Sequence, residues 1–247
     1  MKTFRADLHV HTVLSPCAEV EMIPPLIVER ALELGIDLIA VTDDNASANV
    51  SAVQKAAEGT GLTVLPGMEV QTREDVHLLC LFASLADLEV WQHEVDLSLP
   101  NELNPADYLG EQFVVDENGD YVRTETRLLL TSTKFSIEEV IERVNQLGGL
   151  VIPAHVNRTA YGLFPTLGFL AAWWNFPALE ISRHITPEAL NNQFPSSKDH
   201  PLIQSGDVHR LDEFVGTTYF EIETRSLDEI RLALLGENER KVWISHK

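Results

Sequence analysis

Histidine and carboxylate side chains stand two residues apart at two places in this sequence. His9 and His11 follow Asp7 at this spacing, and His209 follows Asp207 in the same way. Side chains two apart on a β-strand point to the same face, so Asp7, His9 and His11 are expected to share one face. A single histidine is usually an ordinary polar residue held by hydrogen bonds. The repeated pairing favours a metal site, because imidazole and carboxylate groups are ligands for Zn, Mn and Fe.

More groups of the same chemistry lie at or near the ends of apolar runs. They are Asp43, Asp44, Glu69, His77 and His155. Together with the paired residues they exceed the roughly four ligands that one such ion takes, so the sequence predicts more than one metal ion. Neighbouring ions can generate hydroxide and hold a phosphate oxygen between them.

Short apolar runs predict the strands that must position these groups. They cover residues 4–10, 37–43, 62–67, 76–82, 149–155, 178–182 and 201–207. Capped or periodic stretches predict helices at 24–35, 45–59, 136–149 and 226–236. Alternating strands and helices are typical of a parallel α/β fold, and the number of strands favours barrel-like closure. The C-terminal ends of barrel strands meet at one mouth, which would bring the polar groups together.

The stretch from about 85 to 134 breaks the alternation of strands and helices. Its pattern predicts a helix, a loop and a hairpin around the turn at 117–120. We interpret the chain as one domain, 1–247, that carries an insertion at about 85–134.

The composition bears on partners and location. The formal net charge is −20, from 18 Lys and Arg against 38 Asp and Glu. This charge repels nucleic-acid backbones and membranes, so we expect neither long nucleic acid nor a membrane as partner. A small anionic substrate is compatible with it, because metal ions reverse the sign locally. The two cysteines, Cys17 and Cys80, form no CxxC pair, and no leader or membrane-spanning run stands out, so a cytoplasmic location is expected.

Six motifs follow one another along most of the chain: DLHVHT (7–12), VTDDN (41–45), GMEV (67–70), VHLLCLF (76–82), IPAH (152–155) and SGDVH (205–209). This series resembles the PHP family, named for polymerase and histidinol phosphatase. The resemblance implies an α/β fold, a distorted (β/α)7 TIM-like barrel with a trinuclear metal centre at the C-terminal ends of the strands. It also implies phosphoesterase activity with two or three divalent ions, for which Mn, Fe and Zn are candidates.

The resemblance also assigns roles to individual residues. The matching metal ligands are His9, His11, Glu69, His77, His155, Asp207 and His209. Glu69 would bridge two ions. Asp7 would orient a metal ligand without binding the ion itself. Glu69, Asp207 and His209 are the expected catalytic groups, with a metal-bound water or His209 protonating the leaving group.

Two places depart from the family pattern. The second motif usually ends in histidine, but here Asp44 takes that ligand position, which favours Mn over Zn or weakens one ion. The first motif often continues as Ser-Asp-Gly, but here it reads Ser15-Pro16-Cys17. Glu19 or Glu21 could supply the missing oxygen. For Cys17, a buried structural thiol is favoured over a metal ligand.

Phosphate recognition needs cations in addition to the metal ions. Arg158 and Arg183 are the preferred candidates, because a guanidinium group matches phosphate in a bidentate way, although either could be a solvated surface residue. The favoured function is hydrolysis of a small phosphomonoester, with a nucleotide, a sugar phosphate and histidinol phosphate as open choices. Two alternatives stay open: a nuclease or phosphodiesterase, and a metal-binding domain with reduced or no catalysis. The oligomeric state is not predicted.

Overall fold

A curled seven-stranded sheet forms the centre of the fold in the computed structural model, which describes residues 1–245. The strands of the chain are β1 (Lys2–Val10), β2 (Leu38–Val41), β3 (Thr63–Gln71), β4 (His77–Leu81), β5 (Phe113–Val115), β6 (Tyr121–Thr124), β7 (Leu150–Pro153), β8 (Leu179–Ile181), β9 (Leu202–Gln204), β10 (Thr218–Ile222) and β11 (Lys241–Ile244). The helices are α1 (Pro24–Glu33), α2 (Val50–Ala56), α3 (Leu85–Ser98), α4 (Ala106–Leu109), α5 (Ile137–Gln146), α6 (Leu163–Leu167), α7 (Pro187–Gln193) and α8 (Leu227–Leu235).

The main sheet has the order β11-β10-β1-β2-β3-β4-β7. Only β1 with β2 and β2 with β3 pair in parallel, whereas the other neighbours in this sheet are antiparallel. The parallel pair β8 and β9 forms a sheet of its own, and it contacts β7 on one side and β11 on the other. This pair therefore lies between the two edges of the curled sheet.

The predicted α/β class is confirmed, but the regular parallel arrangement is not. Each predicted apolar run contains a strand, and each predicted helical stretch contains a helix. Five of the predicted strands join the main sheet, while β8 and β9 stand apart and the unpredicted β10 and β11 complete it. The curled sheet agrees with the expected distorted TIM-like barrel, but the exact (β/α)7 pattern is not confirmed, since no helix separates β3 from β4 and these two strands run antiparallel.

Apolar side chains are buried on both faces of the sheet. Leu38 and Ala40 of β2 belong to one buried cluster, whereas Ile39 and Val41 belong to another. The first cluster includes Leu227 and Ile230 of α8, and the second includes residues of α1, α2, α3 and α5. Burial on both faces explains why these strands appear as continuous apolar runs in the sequence.

The segment at 85–134 holds α3, α4 and the separate hairpin of β5 and β6. It is tied to the loop after β2 by two asparagines. The Asn45 amide donates to the carbonyl oxygens of Leu129 and Thr131, and the Asn49 amide donates to that of Phe113. This segment thus packs beside the loop that contains Asp44. Across residues 1–245, no helix has the length and apolar character needed to cross a membrane.

Candidate metal centre

The two histidine and carboxylate pairs are brought side by side by backbone pairing. The His11 N–H donates to the Val208 carbonyl at 3.0 Å, and the Val208 N–H donates to the His9 carbonyl at 3.0 Å. This short parallel bridge aligns the end of β1 with the loop that follows β9. Asp207 and His209 consequently lie beside His9 and His11.

The directions of β4 and β7 bring two further histidines to the same edge of the sheet. β4 is antiparallel to β3, so His77 at its start lies opposite Gln71 at the end of β3. β7 is antiparallel to β4, so its C-terminal end lies at this edge as well, and His155 follows it. Strand direction thus explains why His77 begins its apolar run while the other candidates end theirs.

Glu69 lies at the centre of the cluster and is 3% exposed. Its Oε1 atom is 2.9 Å from His77 Nδ1, 3.1 Å from His155 Nε2 and 3.2 Å from His9 Nε2. Its Oε2 atom is 3.4 Å from His11 Nε2. One carboxylate therefore belongs to two ligand groups, one with His9 and His11 and one with His77 and His155.

Hydrogen bonds from the Nδ1 atoms to Glu180 and Ser15 set the tautomers of His9 and His11. His9 Nδ1 lies 3.0 Å from the buried carboxylate of Glu180, which can only accept, so Nδ1 carries the proton. His11 Nδ1 lies 2.9 Å from the Ser15 hydroxyl, whose own proton goes to Asp43. In its neutral form each ring therefore carries its lone pair on Nε2. These two Nε2 atoms face each other at 3.1 Å, with Asp207 Oδ1 at 3.4 Å from both.

This arrangement fits metal ions. Two lone pairs at 3.1 Å repel each other unless a proton or a cation lies between them. The spacing suits two nitrogens on one zinc ion, because each Zn–N bond is about 2.0–2.1 Å long. Buried atoms without a hydrogen-bond partner include His77 Nδ1 and Asp207 Oδ1, although both lie close to charged neighbours. Nitrogen and carboxylate donors that lack hydrogen-bond partners are the chemistry that divalent transition metals bind.

His209 belongs to two further groups, one with His11 and Asp207 and one with Cys17 and Asp44, and the ligand atoms of each group lie within 4.8 Å of one another. The Cys17 thiol is 3.6 Å from Asp44 Oδ2. Cys17 is an exposed residue whose thiol faces this carboxylate, so the expectation of a buried structural thiol is wrong. Only Cys80 has that character, since it is fully buried within β4.

Two acidic residues do not reach the cluster. The Glu19 carboxylate pairs with Arg210 at 2.6 Å, and within the described part of the chain it joins no group of metal-ligating side chains. Asp7 accepts N–H groups of Gly206, Val215 and Gly216, and among residues 1–245 it forms no hydrogen bond with a histidine side chain. Asp7 therefore fixes the backbone next to Asp207, so its effect on that proposed ligand is indirect.

Charges within the cluster shift the acid–base behaviour of its members. Burial alone would lower the pKa of His9, but Glu180, Glu69 and Asp207 raise it well above the ordinary value. For His11, burial also lowers the pKa, but Asp44, Asp207 and Glu69 raise it to about 10. Glu69 and Asp207 are buried, which raises the pKa of a carboxyl group, yet the neighbouring histidines hold both pKa values well below the usual range. Without metal, protons on the imidazoles thus balance the carboxylates.

His209 behaves in the opposite way. Burial and the nearby His11 lower the pKa of His209 below the ordinary value. A neutral imidazole offers a lone pair, which is the form of histidine that binds a metal ion.

The ligand groups border an open cavity of about 680 Å³. Its wall includes Asp207 and His209 and three arginines, namely Arg158, Arg183 and Arg210. Arg158 contacts Asp207 Oδ2, and its side chain is 42% exposed. Arg183 donates to the Gly206 carbonyl and, at 2.8 Å, to Glu213. Both arginines predicted from the sequence therefore lie at the cavity, with Arg158 the more accessible of the two.

Three contributors to the site were not among the sequence candidates. Glu180 holds His9 and also accepts the N–H of His155, Ser15 holds His11, and the Tyr161 ring stacks on His77 at 4.4 Å between centroids. For Glu180 a signal existed, because an acid in the middle of the apolar run at 178–182 needs a buried partner. For the other two, only the fold supplies the contact.

Comparison with known families identifies the fold. The model of the PHP domain family matches residues 7–143 of the 247. The chain belongs to the PHP domain family. The six motifs therefore led to the correct family, and the solved structures that resemble this chain share its fold.

Three relatives are similar to this PHP domain chain. The uncharacterized protein YqxK of Bacillus subtilis is 23% identical, over 98% of this chain and 64% of its own length. The 5'-3' exoribonuclease Rnm of Salmonella typhimurium is 29% identical over 85 residues, which are 32% of this chain and 28% of that protein. The lesion-specific endonuclease Q of Pyrococcus furiosus is similar in structure, with a TM-score of 0.75 and 20% identity over 98% of this chain and 58% of the other. This chain thus spans less than two thirds of these relatives.

These relatives correct one expectation from the sequence. Endonuclease Q has also been solved with a 27-mer DNA duplex that carries an abasic lesion at the active site, and that structure has a TM-score of 0.73 to this chain. The expectation of a small phosphorylated substrate with no long nucleic acid is therefore contradicted. That expectation rested on the net charge of the whole molecule, whereas the cavity wall holds three arginines locally.

Proposed function

We propose that this chain is a metal-dependent nuclease that hydrolyses phosphodiester bonds in nucleic acid. The observation that carries the proposal is the cavity beside the ligand groups, whose wall has three arginines in a chain of net charge −20. A local cluster of guanidinium groups at a metal centre is suited to a phosphate backbone. The similarity to endonuclease Q over 98% of the chain supports the same substrate class.

The proposed ligands form four overlapping groups. They are His9, His11 and Glu69, then Glu69, His77 and His155, then His11, Asp207 and His209, and last Cys17, Asp44 and His209. When bound there, divalent ions would supply an activated water molecule and neutralise phosphate charge.

The protein's own side chains would orient the metal ligands and hold the phosphate. Glu180 and Ser15 keep the Nε2 lone pairs of His9 and His11 directed at the centre. Arg158 would hold a phosphate oxygen at the cavity, and Asp207 keeps its guanidinium group in place. Arg183 is braced by the Gly206 carbonyl and Glu213, so it would shape the wall and contribute positive charge.

The test is cleavage of labelled strands by the purified chain, with Mn²⁺, Fe²⁺ and Zn²⁺ in parallel. The substrates are single-stranded RNA, single-stranded DNA and a duplex with an abasic site. We expect cleavage of at least one substrate, and its loss in Glu69→Gln. Glu94→Gln is the matched control, because Glu94 makes a surface ion pair with Arg143. If a metal-loaded, folded chain cleaves none of these strands, the proposal is wrong.

A further inference from the structure

The two departures from the family sequence pattern meet at one place in the structure. Asp44 stands where the family has a histidine, and Cys17 lies in the altered tail of the first motif. These residues are 27 positions apart in the chain, yet the Cys17 thiol lies 3.6 Å from Asp44 Oδ2. Two unusual residues that contact each other suggest one shared function.

His209 completes this group. Its Nδ1 atom lies 2.9 Å from the Asp207 carbonyl oxygen, which can only accept, so Nδ1 carries the proton and Nε2 keeps a lone pair. Sulfur, carboxylate oxygen and ring nitrogen all lie within 4.8 Å of one another. The group is thus a set of three different donors beside the cavity.

The second cysteine shows what a purely structural thiol is like in this chain. Cys80 is fully buried within β4 and packs among apolar side chains. Cys17 belongs to no apolar cluster among residues 1–245, and it lines the cavity together with Asp207 and His209. Apolar packing therefore explains the presence of a cysteine at position 80, but it does not explain the cysteine at position 17.

We propose that Cys17, Asp44 and His209 form a thiolate-containing metal site that selects a zinc-like ion. This inference rests on the metal centre proposed above. The two groups around Glu69 offer only nitrogen and oxygen donors, which also accept manganese. A thiolate favours softer ions, so the centre would hold ions of two different preferences. On binding, the thiol proton is released to solvent and the sulfur bonds to the ion.

Cobalt substitution tests the donor directly. The purified chain is stripped with a chelator and titrated with Co²⁺, and the thiolate-to-cobalt charge-transfer absorption is recorded. We expect the band in the wild-type chain and in Cys80→Ser, and its loss in Cys17→Ser. Elemental analysis of zinc-loaded protein should show one fewer ion per chain in Cys17→Ser, while the thermal unfolding curve confirms that the variant folds.

Competition in the wild-type chain gives a second readout that needs no variant. Zn²⁺ should abolish the cobalt band, whereas Mn²⁺ at the same concentration should leave it in place. A band that persists in Cys17→Ser, or cobalt binding with no band in the wild-type chain, would overturn the inference. Cleavage assays report on the nuclease proposal separately, because a thiolate band without cleavage contradicts only that proposal, and cleavage without the band contradicts only this one.

Discussion

At the scale of single residues, Glu180 is the buried carboxylate that orients two proposed ligands. Its side chain is 1% exposed, and its Oε2 atom accepts from His9 Nδ1 at 3.0 Å and from the His155 N–H at 2.9 Å. Loss of such a carboxylate behind a metal-bound histidine typically weakens metal binding about 10–100-fold. We expect Glu180→Gln to raise the Kd for Zn²⁺ by this factor, measured by competition with a chromophoric chelator.

The matched control for this change is Glu94→Gln, which removes a carboxylate charge from a surface pair with Arg143. It should leave the Kd for Zn²⁺ unchanged. Equal Kd values for Glu180→Gln and the wild-type chain would show that Glu180 does not set the orientation of His9.

Arg158 is the cavity arginine whose effect on substrate should be largest. A hydrogen bond that involves a charged group contributes about 1.5–3 kcal/mol, so Arg158→Ala should lower kcat/KM for strand cleavage roughly 10–100-fold. Arg158→Lys should recover only part of this, because lysine lacks the bidentate geometry. Arg143→Ala is the control, since the Arg143 side chain is 43% exposed, close to the 42% of Arg158. Similar losses in both alanine variants would contradict the role given to Arg158.

Residue spacing and motif order could identify most of the cluster but not the groups behind it. His9, His11 and Glu69 converge as expected, because strand pairing places them at one edge. The supporting role expected for Asp7 stays a prediction, and the structure gives it a contact with the Gly206 N–H that the spacing could not show. The sequence does not show that the Cys17 thiol meets Asp44 across the fold, and a structural thiol is the ordinary expectation without that contact.

At the scale of elements, the sequence predicted strand positions better than strand directions. A strand buried on both faces is an apolar run whether its neighbours are parallel or antiparallel, so the residue pattern within β4 and β7 does not show their direction. The short connection between β3 and β4 was informative, because a parallel crossover needs about a dozen residues or more. The missed strands β10 and β11 alternate between deeper and shallower burial and form no continuous apolar run.

The segment at 85–134 reaches the metal centre through Gly110. This glycine has φ +103°, and a Cβ atom there would lie 2.4 Å from the Pro16 carbonyl oxygen, next to Cys17. Strain at such a backbone position costs of order 1–3 kcal/mol. We expect Gly110→Ala to lower the free energy of unfolding by at least this amount in urea denaturation. It should also weaken the thiolate-to-cobalt band, because the loop carrying Cys17 must move.

Gly59→Ala separates backbone strain from the steric contact. Gly59 has φ +76°, but a Cβ atom there would meet nothing within 4 Å. Gly59→Ala should lower the free energy of unfolding by about 1–2 kcal/mol because of the left-handed conformation alone. It should leave the cobalt band intact. A Gly110→Ala variant as stable as Gly59→Ala, with a normal band, would show that the segment at 85–134 does not hold the loop of Cys17.

At the scale of the whole molecule, metal binding should contribute to stability. The cluster buries carboxylates and histidines together, and an ion that binds only the folded state stabilises it by about 2.7 kcal/mol at a concentration of 100 times its Kd. We expect the Tm to fall on chelation and to recover with Zn²⁺ or Mn²⁺. Glu69→Gln should show a smaller recovery, because Glu69 belongs to two ligand groups. A recovery equal to that of the wild-type chain would place the stabilising ions elsewhere.

Net charge and the arginine wall should act in opposite directions on binding of nucleic acid. The net charge of −20 repels a strand over distances that salt screens, whereas the three arginines of the cavity act at contact. Each phosphate contact to a single strand contributes about −0.7 to the slope of log K against log salt, so three contacts allow a slope of roughly −2 at most. This slope is measured by fluorescence anisotropy, with a labelled single strand and the Glu69→Gln chain. We expect a slope between 0 and about −2 that becomes less negative by about 0.7 in Arg158→Ala. A much steeper slope would require a basic surface outside this cavity, and the nucleic acid would then bind by a route other than the one proposed.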